Sequence, residues 1–121
     1  MVLKLYVDDV RPAPDGWELA KDYAQAVARL GGCDFTHVSL DHDLAPQHYI
    51  ESSGYFDAPA PSREPTGYDL AKWIVETGAW PTEVIAVHSM NPVGRKYMLD
   101  LLRKHAPDGV TVVDAIGGKN Y

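Results

Sequence analysis

The chain has 121 residues, of which 45% are hydrophobic and 23% charged, the composition of an ordinary globular protein with one core. Its net charge of −6 argues against broad, sequence-independent binding to nucleic acid, because such binding needs a basic face that neutralises phosphates. The single cysteine, Cys33, excludes an internal disulfide and a CxxC metal site. We therefore expect one domain over residues 1–121, in which any phosphate-bearing ligand meets a local cation.

The first apolar run, VLKLYV (2–7), begins and ends with a β-branched valine and predicts a buried parallel strand that ends at Asp8 and Asp9. The stretch MVLKLYVDD reaches this acidic pair before the apolar segment of a signal peptide could form. No apolar run is long enough to cross a membrane. We therefore expect a cytoplasmic, reduced setting and no membrane partner.

The next segments predict a loop, a strand, a helix and another strand. RPAPDG (11–16) cannot form a helix because its prolines remove backbone donors, so the first helix is reduced to a Pro-rich loop. WELAK (17–21) alternates as a second strand does, and DYAQAVARLGG (22–32) is typical of a helix capped by Asp22. FTHVSL (35–40) predicts a third strand, which leads directly into the DHD triplet.

Residues 45–65 have no hydrophobic period and contain four prolines and three aromatic residues. A loop of this length inside a compact domain is typical of an active-site lid or a disordered segment. We expect it to lie over the site, where its aromatic side chains could stack on a base.

The second half of the chain continues the alternation of helix and strand. The predicted elements are a helix in TGYDLAKWIVETG (66–78) with a capping box at Thr66 and Asp69, a strand in EVIAVHSM (83–90), a helix that begins at Asn91 and Pro92, and a strand in GVTVVDAI (109–116). Strands separated by such helices predict parallel βαβ units, with right-handed crossovers and helices on both faces of the sheet. The fold class is therefore α/β, a doubly wound, flavodoxin-like sheet of five strands in the order 2-1-3-4-5.

In this order the carboxyl ends of strands one, three and four meet at the topological switch point, where such folds bind ligands. These ends carry Asp8, Asp9, Asp41, His42, Asp43, His88, Ser89 and Asn91. The clustering of carboxylates and imidazoles is more than helix and loop capping requires, although capping could account for one or two of the aspartates.

Four stretches in the same order resemble a known family. They are VDDVRPAPDGW (7–17), SLDHDL (39–44), TGYDLAKW (66–73) and VHSMNPVGRKYM (87–98). Together they resemble the cyclic-phosphate processing receiver-like family, a divergent branch of the response-regulator receiver fold, and the resemblance covers nearly the whole chain. It implies a receiver-like domain that acts on cyclic phosphates, with its site in the acidic pair, the DHD triplet and the HSxN segment.

The clustered carboxylates predict a divalent cation, because they cannot all stay ionised in a small cleft without one. Asp8, Asp9 and Asp41 offer oxygen ligands suited to Mg²⁺ or Mn²⁺, and a histidine ligand would shift the preference toward Mn²⁺ or Zn²⁺. Asp43 would orient a histidine or complete the metal shell.

The remaining polar residues suit the opening of a cyclic phosphate, in which one group activates water and another protonates the leaving oxygen. His42 and His88 are the acid/base candidates, together with Asp41 and Asp43. Phosphate contacts are expected from Ser89, Asn91, Arg95 and Arg11, since Arg95 lies in the first turn of a helix, where backbone N–H groups favour an anion. Ser89 could instead only form a helix-entry hydrogen bond, and the arginines could be surface ion-pair residues.

The predicted function is a metal-dependent phosphoesterase, a hydrolase acting on a 2′,3′-cyclic phosphate, an ADP-ribose cyclic phosphate or a cyclic nucleotide. One alternative is a phospho-accepting receiver, with Asp41 as acceptor, Asp8 and Asp9 holding Mg²⁺ and Ser89 as its hydroxyl group. Against it, a receiver needs a lysine directly after strand five, where this chain has Asp114 and reaches Lys119 only later. The other alternative is a protein that binds a cyclic nucleotide without turnover.

Overall fold

Each apolar run forms a strand, and the strands make one parallel sheet in the computed structural model, which describes residues 2–42 and 66–115. The strands are β1 (Lys4–Val7), β2 (Glu18–Ala20), β3 (His37–Leu40), β4 (Val84–Val87) and β5 (Thr111–Asp114). Their order, 2-1-3-4-5, confirms the predicted flavodoxin-like topology. Asp43, Lys119 and the predicted loop over residues 45–65 lie outside the described residues.

In the described part of the chain the strands alternate with three helices, α1 (Tyr23–Gly32), α2 (Gly67–Thr77) and α3 (Pro92–His105). Each begins at the predicted cap: the side chains of Asp22, Thr66 and Asn91 accept a hydrogen bond from the backbone N–H three residues later. Thr66 and Asp69 form the complete capping box. None of these described helices combines the length and the apolarity needed to cross a membrane.

The connection from β1 to β2 contains no helix, as its prolines predict. The backbone N–H of Trp17 donates to the carbonyl of Pro14 at 3.1 Å, and Gly16 supplies the positive φ of 86° that this turn requires. The chain therefore returns to the sheet through a loop that ends in a tight turn at residues 14–17.

The hydrophobic core lies on one face of the sheet. Leu5, Val38 and Ile85 are neighbours in the strand register and are fully buried. Their side chains belong to one cluster that also contains buried residues of all three helices, among them Leu30 and Leu70. The three described helices thus form a single layer against this face.

The direction of the crossovers explains why the three described helices form a single layer. The connections through α1, α2 and α3 all step toward the β5 edge, and right-handed crossovers in one direction place their helices on one face. Only the β1–β2 connection steps the other way, and it is the Pro-rich loop. Among the described residues the second face instead carries Tyr6 and Trp17, whose rings meet edge to face at 6.0 Å.

Candidate active site

Buried polar residues follow three adjacent strands at their carboxyl ends. Asp8 comes directly after β1 and is 1% exposed, Asp41 comes directly after β3 and is 6% exposed, and His88 comes directly after β4 and is 7% exposed. Charged groups are buried at such depth only when partners compensate the loss of water. The structure brings these three predicted site residues together at the switch point.

The Asp8 carboxylate is held by a set of donors. Its Oδ1 accepts from the backbone N–H groups of Val10 at 2.9 Å and Arg11 at 2.8 Å, and its Oδ2 lies 3.0 Å from His88 Nε2. Burial acts to raise the pKa of Asp8, but the hydrogen bonds from His88, Arg11 and Val10 together outweigh it and hold that pKa below the ordinary value. The group is therefore an anion at neutral pH.

The His88 ring is fixed from three sides. Nε2 faces the Asp8 carboxylate, Nδ1 lies 2.7 Å from the hydroxyl oxygen of Ser39, and the ring stacks on Tyr6 with centroids 4.2 Å apart. Because ionised Asp8 can only accept, Nε2 is the donor in that hydrogen bond, and the Nδ1 of a neutral ring then accepts from Ser39. Both ring nitrogens are engaged within the protein.

Asp8, Asp41 and His88 each offer one ligand atom, and these three atoms lie within 4.8 Å of one another. Two carboxylates and one imidazole suit Mn²⁺ or Zn²⁺ better than Mg²⁺, which prefers oxygen ligands alone. To bind a cation through Nε2, His88 would take the other neutral tautomer, in which Nδ1–H donates to the Ser39 hydroxyl, the outer hydrogen bond that metal-binding histidines usually make. These three residues therefore fit a divalent cation. The group contains His88, whereas the predicted ligands were Asp8, Asp9 and Asp41.

His42 lies beside this group, held through its backbone. Its N–H donates to Asp41 Oδ1 at 2.8 Å, and its carbonyl accepts from the N–H of Gly67 at 2.7 Å. The Asn91 side-chain amide lies 3.5 Å from the ring Nδ1, at the long limit of a hydrogen bond. The starts of α2 and α3 therefore determine where this imidazole stands.

Two glycines permit this close approach of the helices. A β-carbon on Gly67 would overlap the carbonyl oxygen of Asp41, and one on Gly94 would come within 2.5 Å of the His42 ring. Any larger residue at either position would push a helix away from the Asp41–His42 segment.

Three residues of the site were not predicted from the sequence: Ser39, Tyr6 and Gly67. Ser39 did carry a signal, because a hydroxyl in the middle of a buried strand needs a hydrogen-bond partner. Gly67 also carried one, as a glycine in the first turn of a helix, where it lowers helix propensity without a local benefit. Nothing in the apolar run around Tyr6 indicated a stack on a residue of another strand.

The family model described as "Cyclic-phosphate processing Receiver domain" matches residues 3–104, from β1 to the end of α3. The chain belongs to this family. Comparisons with curated proteins and with solved structures found no match.

In this cyclic-phosphate processing receiver domain, the residues predicted to contact phosphate also support the local structure. Ser89 Oγ accepts from the backbone N–H of Asn91 at 3.1 Å, and Asn91 caps α3. Arg95 donates to the carbonyl of Ser89 at 3.2 Å, and Arg11 Nη1 lies 3.6 Å from Asp8 Oδ2. Both guanidinium groups thus lie against residues of the candidate site, although Ser89 itself is fully buried.

The end of β5 differs from what a phospho-accepting receiver requires. Asp114 is the last residue of this strand, and its Oδ2 lies 3.7 Å from Arg95 Nε. A carboxylate at this place would repel an acyl phosphate rather than pair with it. Within the residues that the structure describes, the end of β5 therefore carries no lysine of the kind that a signalling receiver needs.

Proposed function

We propose that this domain hydrolyses a cyclic phosphate with the help of a divalent cation held by Asp8, Asp41 and His88. The observation that carries the proposal is the group of three buried ligand atoms within 4.8 Å at the carboxyl ends of adjacent strands. Membership of a family described by cyclic-phosphate processing supports the substrate class.

The charges of the site favour a bound cation. Asp8 and Asp41 are both almost fully buried, and two carboxylates this close in a region with little water repel each other unless a positive charge lies between them. A divalent ion there would polarise a phosphoryl oxygen and offset the charge that develops on it.

We assign proton transfer to His42 and metal binding to His88. His42 is half-buried, and its backbone hydrogen bonds to Asp41 and from Gly67 fix its position while its side chain reaches a pocket. The His88 ring is held by Ser39 at Nδ1 and faces Asp8 with Nε2, so a cation that replaces the Nε2 proton would find a ligand of fixed orientation, which an acid or base that exchanges protons with substrate does not need. This assignment differs from the paired acid/base roles expected from the sequence.

The phosphate would be held by the cations that flank the metal group. The Arg11 side chain is 45% exposed and the Arg95 side chain 21% exposed, so each can turn toward a ligand more easily than the buried residues can. Guanidinium groups pair with phosphate through two parallel hydrogen bonds. Asn91 and Ser89 remain further candidates for phosphate contact, and Asp43 for a role beside the metal.

A substrate screen tests the function. We expect the wild-type protein to convert at least one cyclic phosphate into its linear phosphomonoester when Mn²⁺ or Zn²⁺ is present, as followed by ³¹P NMR, and to stop when the metal is chelated. Asp41→Asn should lose this activity, whereas Asp100→Asn, a change of an exposed aspartate on α3, is the matched control. Binding of a cyclic nucleotide without product would identify a binding protein, and no reaction with any cyclic phosphate would contradict the proposal.

Metal binding has its own test, independent of turnover. A ligand that binds only the folded state stabilises it, by about 2.7 kcal/mol at a hundredfold excess over the dissociation constant. We therefore expect Mn²⁺ to raise the melting temperature of the wild type and of Asp100→Asn, but not that of Asp8→Asn. An unchanged wild-type melting temperature at millimolar Mn²⁺, Zn²⁺ and Mg²⁺ would rule out the proposed cation site.

The receiver alternative predicts a covalent product. Incubation with a small acyl phosphate and Mg²⁺ would transfer a phosphoryl group to Asp41, which mass spectrometry detects as an adduct. We expect no stable adduct, because Asp114 stands where the pairing cation is needed. A Mg²⁺-dependent adduct on Asp41 would favour signalling over hydrolysis.

A further inference from the structure

A pocket of about 370 Å³ opens beside the candidate site, at the starts of α2 and α3. It is lined by His42, Thr66, Tyr68, Asp69 and Tyr97. Its volume is within the range of sites that bind small molecules. His42 directly follows Asp41, and consecutive Cα atoms are about 3.8 Å apart. The pocket therefore begins within one residue of the proposed metal group.

The lining favours a planar, uncharged group. Two phenol rings, one from each helix, offer surfaces on which a flat ring can stack. Among the described residues that line the pocket, Asp69 is the one carboxylate and none is a lysine or arginine. An anionic substituent would meet the like charge of Asp69 there.

The polar wall of the pocket is rigid. Asp69 Oδ2 accepts from both the backbone N–H and the hydroxyl of Thr66, at 2.8 and 3.2 Å, as part of the capping box. Because the capping box already fixes this wall, little conformational entropy is lost there when a ligand binds. Tyr97, which is 60% exposed, presents its ring to solvent at the side of α3.

We propose that this pocket receives the base of a nucleoside cyclic phosphate, stacked on Tyr97. The inference rests on the proposed function and names its substrate class. Aromatic side chains are the usual partners of unpaired bases, and a base attached directly to the ribose is the planar, neutral group nearest to the phosphate. In an ADP-ribose cyclic phosphate, a diphosphate separates the ribose that carries the cyclic phosphate from the adenosine, and this diphosphate would bring negative charge toward Asp69.

A comparison of two substrates tests the role of the aromatic ring. The probes are adenosine 2′,3′-cyclic phosphate and the methyl riboside 2,3-cyclic phosphate, which has no base. We expect Tyr97→Leu to lower the ratio of their kcat/KM values roughly tenfold, mainly through the KM of the adenosine compound, because one base–aromatic stack is lost. Tyr97→Phe keeps the ring and should keep the wild-type ratio. An unchanged ratio in Tyr97→Leu would overturn the proposal.

A second measurement separates this proposal from the proposed hydrolysis. Adenosine, which carries no phosphate, is added to the full chain in the presence of a chelator, and backbone amide shifts are followed by NMR. We expect saturable shifts at Thr66, Tyr68 and Tyr97 that Tyr97→Leu abolishes. Shifts of this kind in a protein that cleaves no cyclic phosphate would support the nucleoside pocket while contradicting the hydrolysis. The absence of saturable shifts, or shifts confined to other residues, would overturn the pocket even in an active enzyme.

Discussion

Replacing Gly67 with alanine is expected to lower the free energy of unfolding by about 3 kcal/mol, the upper part of the range for overpacking a tight contact. The added methyl group would overlap the carbonyl oxygen of Asp41 and approach the backbone of His42. These are backbone atoms, which cannot turn aside as the end of a side chain can. Either α2 moves outward or the Asp41–His42 segment shifts, and urea unfolding followed by circular dichroism would measure the cost.

Gly31→Ala is the matched control, because Gly31 also lies in a helix and a β-carbon there would meet nothing within 4 Å. Alanine has the higher helix propensity, so this variant should be neutral or more stable by up to about 1 kcal/mol. Gly67→Ala should also bind Mn²⁺ more weakly, since Asp41 is part of the proposed ligand group. Equal stability of the two variants would show that the start of α2 tolerates displacement.

Local sequence signals predicted most of the fold, because helix starts and strand ends depend on neighbouring residues. Thr66 and Asp69, three residues apart, form a capping box at the start of α2. Asn91 caps α3, and Pro92 is its first residue, a common pair at helix starts. The strand order followed from the alternation of elements and from the commonest doubly wound arrangement. The positions of Asp8 and Asp41 at neighbouring strand ends followed in turn.

Pairings between distant residues were not predictable in the same way. The hydrogen bond between Ser39 and His88 joins residues 49 positions apart, and the Asp8–His88 contact joins residues 80 positions apart. Which polar groups meet depends on the register of β1, β3 and β4 and on side-chain rotamers, which no local spacing encodes. The sequence therefore indicated both histidines as site residues but could not distinguish a ligand from an acid/base group.

Replacing His42 and replacing His88 with alanine are expected to have different effects on turnover and on metal binding. His42→Ala should lower turnover of a cyclic phosphate by on the order of a hundred- to ten-thousand-fold, because a proton-transfer group is lost, while Mn²⁺ still raises the melting temperature. His88→Ala should lose both turnover and most of the Mn²⁺ response, because one of three ligand atoms is gone and Asp8 loses a hydrogen bond. Turnover and melting temperature are measured on the same samples.

His105→Ala provides the control, since His105 is exposed at the end of α3, and both quantities should stay near their wild-type values. If His88→Ala loses turnover but Mn²⁺ still raises its melting temperature fully, His88 has the acid/base role expected from the sequence. If both site variants fold, bind Mn²⁺ and cleave at wild-type rates, the imidazoles are structural. Activation of water would then have to come from the cation held by the carboxylates.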